Sequence, residues 1–134
     1  MKMKSIRQSA TFNELPEKIY DIIMDEKKHA AFTGSVTKMS TEPNGKFSVF
    51  DGYCNGYNIE LVRGKRIVQA WRFEEDGWPD DHFSICNFEL DRVGDKTKLI
   101  FLQTNVPESK VESLKKGWKQ YYWDAIKTFL KSEY

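Results

Sequence analysis

The sequence predicts an α+β fold in which a curved antiparallel sheet of six to seven strands wraps around a long C-terminal helix. Between residues 36 and 104, short segments of alternating apolar residues are separated by turn signals, a pattern typical of an antiparallel meander. From Glu108 to Lys131, apolar residues instead recur at spacings of three and four, which predicts an amphipathic helix. This helix is the element long and aromatic enough to cover one face of the sheet.

The length, net charge and aromatic content limit the class of protein to which the chain can belong. The chain has 134 residues, so we expect residues 1–134 to form a single domain. The formal net charge is +1, which argues against a nucleic-acid partner and gives no polybasic patch for a membrane. Aromatic residues make up 14% of the chain, well above the content of a disordered segment.

The two cysteines and two histidines limit the metal sites and disulfides that the chain can form. Cys54 and Cys86 fall in strands separated by another strand, so we expect both thiols to be buried and unpaired. No Cys-x-x-Cys motif occurs, and we expect no zinc site and no other cofactor.

The N-terminus lacks the apolar core of a secretory signal, and no apolar run is long enough for a membrane helix. We therefore expect a cytoplasmic protein.

One strand and two short helices open the chain. Ser5–Phe12 alternates apolar and polar residues, as a half-buried strand does. Asn13 is the expected N-cap of the first helix, and Pro16 suits its first turn. A second helix is expected over Glu26–Phe32, with Gly34 as a left-handed C-cap.

The central strands follow in order, joined by short turns. We expect them over the segments Lys46–Phe50, Gly56–Leu61, Ile67–Phe73, His82–Arg92 and Thr97–Thr104. Turns are expected at Pro43–Gly45, Asp51–Gly52, Arg63–Lys65 and Gly94–Asp95. In the second of these strands, alternation puts Tyr57, Ile59 and Leu61 on one face. In the fourth, one face carries Ser84, Cys86, Phe88 and Leu90.

The final helix is defined by an apolar stripe and one glycine. The stripe consists of Val111, Leu114, Trp118, Tyr121, Tyr122, Ala125 and Phe129. Gly117 lies inside the helix, where glycine costs about 1 kcal/mol relative to alanine. We interpret Gly117 as a place where the helix backbone approaches another element closely.

Five segments of the sequence resemble a known family. They are Asn44-Gly45-Lys46-Phe47 with Phe50-Asp51-Gly52, Gly56, Ile67-Val68 with Trp71-Arg72-Phe73, Trp78-Pro79 with His82-Phe83, and Gly117-Trp118-Lys119-Gln120-Tyr121-Tyr122. Together they are similar to the C-terminal domain of the activator of heat-shock protein 90 ATPase and its stand-alone homologues. The resemblance covers Ile6 to Phe129. This family belongs to the START-like (Bet v 1, SRPBCC) superfamily, which implies the helix-grip fold.

The resemblance also implies a function. It suggests a stand-alone binding module that associates with the heat-shock protein 90 chaperone, in a co-chaperone-like stress role. The eukaryotic activators carry a separate N-terminal domain, for which 134 residues leave no room. We therefore expect little stimulation of the chaperone ATPase by this chain alone.

The candidate catalytic side chains in the sequence predict a protein that is not an enzyme. Neither His29 nor His82 lies beside a serine or cysteine in a nucleophile motif. Asp76, Asp80, Asp81 and His82 could bring metal ligands together, but such a loop cluster is more typical of a solvated turn. No catalytic residue and no metal ligand is therefore assigned.

A set of aromatic residues is expected between the sheet and the helix. Its members are Phe32, Phe47, Tyr57, Trp71, Phe88, Phe101, Trp118 and Tyr122. Bulky aromatic side chains favour a filled core. The alternative is an apolar cavity, in which case the protein would be a carrier or sensor of a small hydrophobic ligand.

Candidate partner-binding residues lie in the acidic loop between the third and fourth central strands. An exposed Trp78 next to Asp80 and His82 would suit an interface anchor. Trp78 could equally fold back on its own loop. Trp123 and Tyr134 fall outside the main helical stripe and are further candidates for exposure.

Overall fold

The computed structural model describes residues 2–133. Within that range, seven strands form one antiparallel sheet in the order β1-β7-β6-β5-β4-β3-β2. The strands are β1 (Met3–Phe12), β2 (Lys38–Met39), β3 (Lys46–Val49), β4 (Cys54–Val62), β5 (Arg66–Phe73), β6 (Ser84–Val93) and β7 (Lys96–Pro107). The first and last strands of the chain pair, so β1 forms one edge of the sheet and β2 forms the other. The predicted α+β helix-grip architecture is confirmed.

The two short helices follow β1 as predicted. Helix α1 spans Pro16–Met24, with the proline in its first turn, and α2 spans Glu26–Thr33. Gly34 ends α2 at φ +72°, the left-handed conformation expected of a C-cap. The predicted N-cap was wrong, because Leu15 occupies that position and no side chain caps the helix.

The orientation of β4 was predicted incorrectly. The register of β4 against β5 shifts between Asn58 and Glu60, which marks a bulge. Asn58 points into the core, where its amide nitrogen donates to the carbonyl oxygens of Ser40 and Glu42 at 2.8 and 3.0 Å. Tyr57 therefore faces outward and is 39% exposed. The hydrogen bonds available to the buried amide outweigh the apolar alternation that the sequence suggested.

Strand β6 matches its prediction on the buried face, while two neighbouring boundaries moved. Ser84, Cys86, Phe88 and Leu90 are all buried. The strand begins two residues later than predicted, after Asp81 at φ +55°. Strand β3 ends at Val49, one residue early, because Phe50 adopts φ +53°. A left-handed residue interrupts the extended backbone at both places.

The C-terminal helix is interrupted by a π-helical turn. A 3-10 turn (Glu108–Lys110) leads into α3 (Val111–Trp118), the π turn (Lys119–Trp123) and α4 (Asp124–Glu133). A π turn links residues five apart, as the bond from the Asp124 amide to the Lys119 carbonyl shows. The sequence predicted one regular helix across this region.

The π turn changes which aromatic side chains face the sheet. Trp118 and Trp123 are five residues apart, and their indole rings stack at 5.8 Å on the buried side. Tyr121, which the predicted stripe placed inside, is instead 52% exposed. The prediction was wrong for Trp123 and Tyr121 because it assumed an uninterrupted α-helical period.

Each tryptophan buried between the sheet and the C-terminal helix donates its indole N–H to a glutamine. Trp118 donates to Gln103 at 2.8 Å. The other two pairs are Trp71 with Gln69 at 2.9 Å and Trp123 with Gln8 at 2.8 Å. These bonds satisfy polar groups that would otherwise be costly to bury. The bonds from Trp118 and Trp123 also tie the helix to β7 and β1 at fixed positions.

Candidate functional site

A pocket of about 450 Å³ opens between the C-terminal helix and the adjoining ends of β4 and β5. Its walls come from the turn after β3, from β4 and β5, from the acidic loop and from the helix. The lining residues are Phe50, Tyr53, Cys54, Trp71, Phe73, Glu75, Ser113, Leu114, Gly117, Trp118, Tyr121 and Tyr122. Pockets of this volume are typical of sites for small molecules.

The floor of the pocket is made of packed aromatic rings. Trp71 and Trp118 have ring centroids 5.0 Å apart, and Trp118 and Tyr122 are 4.8 Å apart. Phe73 extends this surface from β5, 5.9 Å from Trp71. All four side chains are buried, so the floor is rigid and apolar.

Gly117 keeps one wall of the pocket open. A Cβ atom built at this position would have Tyr121 as its nearest neighbour, 3.9 Å away at Cδ2. No other element approaches the backbone closely there, so the interpretation of Gly117 as a close-contact glycine was wrong. The missing side chain instead leaves space at the pocket.

The mouth of the pocket is bordered by a turn in an unusual conformation. Phe50 and Asp51 have φ values of +53° and +56°, and Gly52 follows at +89°. A bulky residue such as Phe50 seldom adopts the left-handed region, and strain of this kind clusters at ligand sites. The Phe50 ring meets Tyr121 and Tyr122 at centroid distances of 6.1 Å. An aromatic rim therefore frames the entrance.

A carboxylate with two partners lies at the polar edge of the pocket. The Tyr53 hydroxyl donates to Oε2 of Glu75, and Nζ of Lys110 lies 3.3 Å from Oε1. Burial and this hydrogen bond raise the pKa of the Tyr53 phenol, which stays protonated. Lys110 also donates to the carbonyl oxygen of Asp76, so the acidic loop is attached to the start of the helix.

A second polar group lies behind the aromatic floor. His29 is fully buried, and its Nε2 is 2.5 Å from the Tyr122 hydroxyl. Burial lowers the pKa of His29 to about 3 and raises the pKa of Tyr122, so both groups are neutral. The Thr37 hydroxyl donates to the Ser35 carbonyl at 3.1 Å, so it accepts from Nδ1–H of His29 at 3.3 Å, which leaves Nε2 to accept from the Tyr122 hydroxyl. The arrangement holds the Tyr122 ring in place and offers no nucleophile to a substrate.

The two cysteines are free and buried, as predicted. Cys54 lines the pocket, but burial raises its thiol pKa, which keeps the sulfur protonated and unreactive. Within residues 2–133, no group of three or more His, Cys, Asp and Glu side chains is arranged to hold a metal ion.

The structure separates the eight predicted cavity residues into three groups. Trp71, Trp118 and Tyr122 line the pocket. Four others are buried in the packed core away from it, namely Phe32, Phe47, Phe88 and Phe101. Tyr57 does not belong to this space, because the bulge in β4 turns it to the outer face, where its ring contacts Phe83 at 5.5 Å.

The acidic loop is folded on itself. Trp78 is 5% exposed, its indole N–H donates to the His82 carbonyl at 2.8 Å, and its ring lies 4.9 Å from Phe73. The interpretation of Trp78 as an exposed anchor was therefore wrong, and the fold-back alternative is what the structure has. Asp80 is exposed, and the half-buried His82 packs on Trp78 at 5.6 Å. Tyr134 lies outside the described residues.

Sequence reasoning missed much of the pocket lining. Phe50, Tyr53, Phe73 and Glu75 lie at turns or strand ends, where periodicity carries no information. The usable signal was Gly117, a glycine inside an otherwise strong helix. Gly117 does lie at the pocket, but it was interpreted as a point of close contact and not as a gap in the pocket wall.

Comparison with known proteins adds three kinds of match. A family model described as "Activator of Hsp90 ATPase homolog 1-like protein" matches residues 15–131. The "Activator of 90 kDa heat shock protein ATPase homolog 1" of Homo sapiens is 31% identical over 117 residues, which cover 87% of this chain and 34% of that protein. The corresponding homolog of Dictyostelium discoideum is 32% identical over 125 residues, covering 92% and 32%. The chain spans about a third of the length of these curated relatives.

The solved structures agree with the sequence matches. The crystal structure of an HSP90 activator from Plasmodium falciparum has a TM-score of 0.89 against this chain at 27% identity. The alignment covers 97% of both chains, so the similarity extends over the whole sheet and the C-terminal helix. No helix within residues 2–133 is both long and apolar enough to span a membrane.

Proposed function

Because this chain belongs to the family of activator of Hsp90 ATPase homolog 1-like proteins, we propose that it is a chaperone-associated binding module that docks on heat-shock protein 90. The observation that carries this proposal is the match of residues 15–131 to the family model. The activator from Plasmodium falciparum supports it, since its fold agrees over 97% of this chain. The relatives are named as activators of another protein's ATPase, which fits a module without chemistry of its own.

We assign the acidic loop between β5 and β6 to the docking surface. Its backbone is held by the Trp78–His82 hydrogen bond and by a contact of 2.8 Å between Nε2 of His82 and the Asn105 carbonyl. Asp76 and Asp80 remain exposed on this fixed frame. A preorganised surface loses less conformational entropy when it binds, and these carboxylates would suit a basic patch on the partner.

The strength of the interaction follows from the number of contacts. Two linked modules can gain about 10²–10⁴-fold in affinity through effective concentration, and a single module forgoes that gain. The chain corresponds to about a third of its curated relatives. Tested by itself, this 134-residue chain offers one module, so we expect it to bind in about the micromolar range or more weakly and to stimulate the ATPase little.

The test is a titration into the chaperone from the same organism, with and without nucleotide, followed by calorimetry and by ATPase rate. We expect saturable binding that weakens by about tenfold in the double variant Asp76→Lys with Asp80→Lys. The exposed Asp91 and Asp95 lie on the hairpin between β6 and β7, so the double variant Asp91→Lys with Asp95→Lys is the charge-matched control. Absence of binding up to high micromolar concentrations would refute chaperone docking. Equal effects of the loop and control variants would refute the assignment of the surface.

A second candidate function rests on the pocket. Its volume of about 450 Å³ and its aromatic floor favour a carrier or sensor of a small hydrophobic molecule. The two functions are compatible, because Glu75 lines the pocket while Asp80, on the same loop, is exposed and does not line it. Native mass spectrometry of the purified protein tests this candidate. A carrier or sensor should retain a small molecule, which denaturation then releases.

A further inference from the structure

The shape of the pocket restricts the ligands that fit. Behind Trp118, the space between helix and sheet is filled by Phe101 at 4.4 Å and Trp123 at 5.8 Å between ring centroids. An extended acyl chain would need a channel in this direction, and these rings occupy it. A compact molecule can fit entirely between the aromatic floor and the rim at Phe50 and Tyr121.

The lining favours flat rings. Trp71, Phe73 and Trp118 form the floor, while Phe50 and Tyr121 form the rim. Aromatic side chains gain energy from offset or edge-to-face contact with a further ring, beyond the area that is buried. A planar aromatic molecule can use several of these rings at once.

The charges at the polar edge disfavour ionic ligands. Glu75 is the charged residue among those lining the pocket, and its oxygens face the Tyr53 hydroxyl and the Lys110 ammonium. An anionic ligand would place a second negative charge beside Glu75, while a cationic one would have to compete with Lys110. Each carboxylate oxygen can accept more than one hydrogen bond, so a neutral N–H or O–H group can still bind there.

From this combination, and resting on the ligand-binding candidate above, we propose that the pocket binds an uncharged, planar aromatic molecule bearing a hydrogen-bond donor. The rings supply most of the contact area. The Glu75 carboxylate accepts from the donor and sets the orientation of the ligand.

The test uses four probes that separate ring, charge and shape. They are 2-naphthol, 2-naphthoate, 2-naphthylmethylammonium and dodecanoate, each titrated by calorimetry into the full chain at neutral pH. We expect 2-naphthol to bind about tenfold or more tightly than each of the others. Amide shifts in an NMR spectrum should locate it at Gly117 and Tyr53.

Two variants sharpen the result. Gly117→Leu fills the open wall and should abolish binding of 2-naphthol, whereas Lys116→Leu adds the same side chain at an exposed neighbouring position and should not. Glu75→Gln removes the negative charge and leaves Lys110 available, so it should reverse the preference of 2-naphthol over 2-naphthoate. An unfolding curve for each variant establishes that it is folded.

The outcomes distinguish the two proposals. If none of the probes binds and the protein carries no retained molecule, both the ligand-binding candidate and this inference are refuted. If dodecanoate or 2-naphthoate binds as tightly as 2-naphthol, the pocket binds ligands but the inferred class is wrong. An unchanged preference in Glu75→Gln would also overturn the assigned role of Glu75.

Discussion

The two ends of the space between the C-terminal helix and the sheet are built differently. At the closed end, Phe88, Phe101 and Trp123 fill the interior behind Trp118, whose ring forms part of the pocket floor and separates the two ends. The indole groups of Trp118 and Trp123 are paired with glutamines. At the open end, Gly117 contributes no side chain, and a pocket of about 450 Å³ remains. The same helix therefore serves as a structural anchor on one side and as the wall of a site on the other.

The difference shows how a small domain can combine stability with a binding site. Dense packing and paired polar groups at the closed end hold the fold together. The open end instead contains left-handed residues at Phe50 and Asp51 and a carboxylate held by Tyr53 and Lys110. At this end, features that cost stability, such as the left-handed Phe50, lie where a ligand can reach them.

The largest expected effect comes from removing the indole that separates the two ends. Trp118→Ala removes a buried indole and leaves Gln103 without that partner, so we expect it to lower the free energy of unfolding by about 3–5 kcal/mol. Tyr121→Ala, in the same helix but half exposed, should cost less than about 1 kcal/mol. Denaturant unfolding measures both values. A loss below about 1 kcal/mol for Trp118→Ala would mean that the packing around this indole does not anchor the fold.

A smaller effect should appear on acidification, through the histidine behind the pocket floor. The pKa of His29 is lowered to about 3 in the folded chain from an ordinary value of 6.5. The unfolded chain therefore binds the proton first, and stability falls as the pH drops below 6.5 toward 3.

Between about pH 7.5 and pH 5, this histidine alone should lower the free energy of unfolding by about 2 kcal/mol. His29→Gln should lose correspondingly less over the same interval, because the variant has no imidazole to protonate. Urea unfolding of both chains at the two pH values gives the comparison. Identical pH dependence would show that His29 is not held neutral in the folded state.

The smallest effect is expected at the open wall. Gly117→Ala places a methyl group at ordinary contact distance from Tyr121, with 3.9 Å to Cδ2. Alanine favours the helix over glycine by up to about 1 kcal/mol, so the variant should be slightly more stable. Thermal unfolding tests this, with Lys116→Ala as the neighbouring control. Clear destabilisation would indicate a close contact that the pocket geometry does not include.

The sequence predicted the closed end better than the open end. The buried face of β6 followed from strict alternation of Ser84, Cys86, Phe88 and Leu90, and Trp118 followed from helical spacing. Regular periodicity works where a regular element packs against a core. The fold class and element order could be predicted for this reason.

The errors arose where regular geometry is interrupted. A bulge in β4 turned Tyr57 outward, and a π turn exchanged Tyr121 for Trp123 on the buried side. Trp78 was judged by the acidity of its neighbours, although Phe73 and His82 provide it with a buried position. Each outcome depends on contacts between segments distant in the sequence or on backbone irregularities, which a single sequence does not reveal.

Chaperone docking is tested most directly by an NMR titration of isotope-labelled protein with the unlabelled chaperone from the same organism. We expect progressive, saturable changes at the amides of Asp76, Asp80 and His82. Amides of the closed end, such as Phe101 on β7, should show no site-specific shift changes. Changes centred on the opposite edge of the sheet would contradict docking through the acidic loop. An absence of changes at high micromolar chaperone would contradict docking altogether.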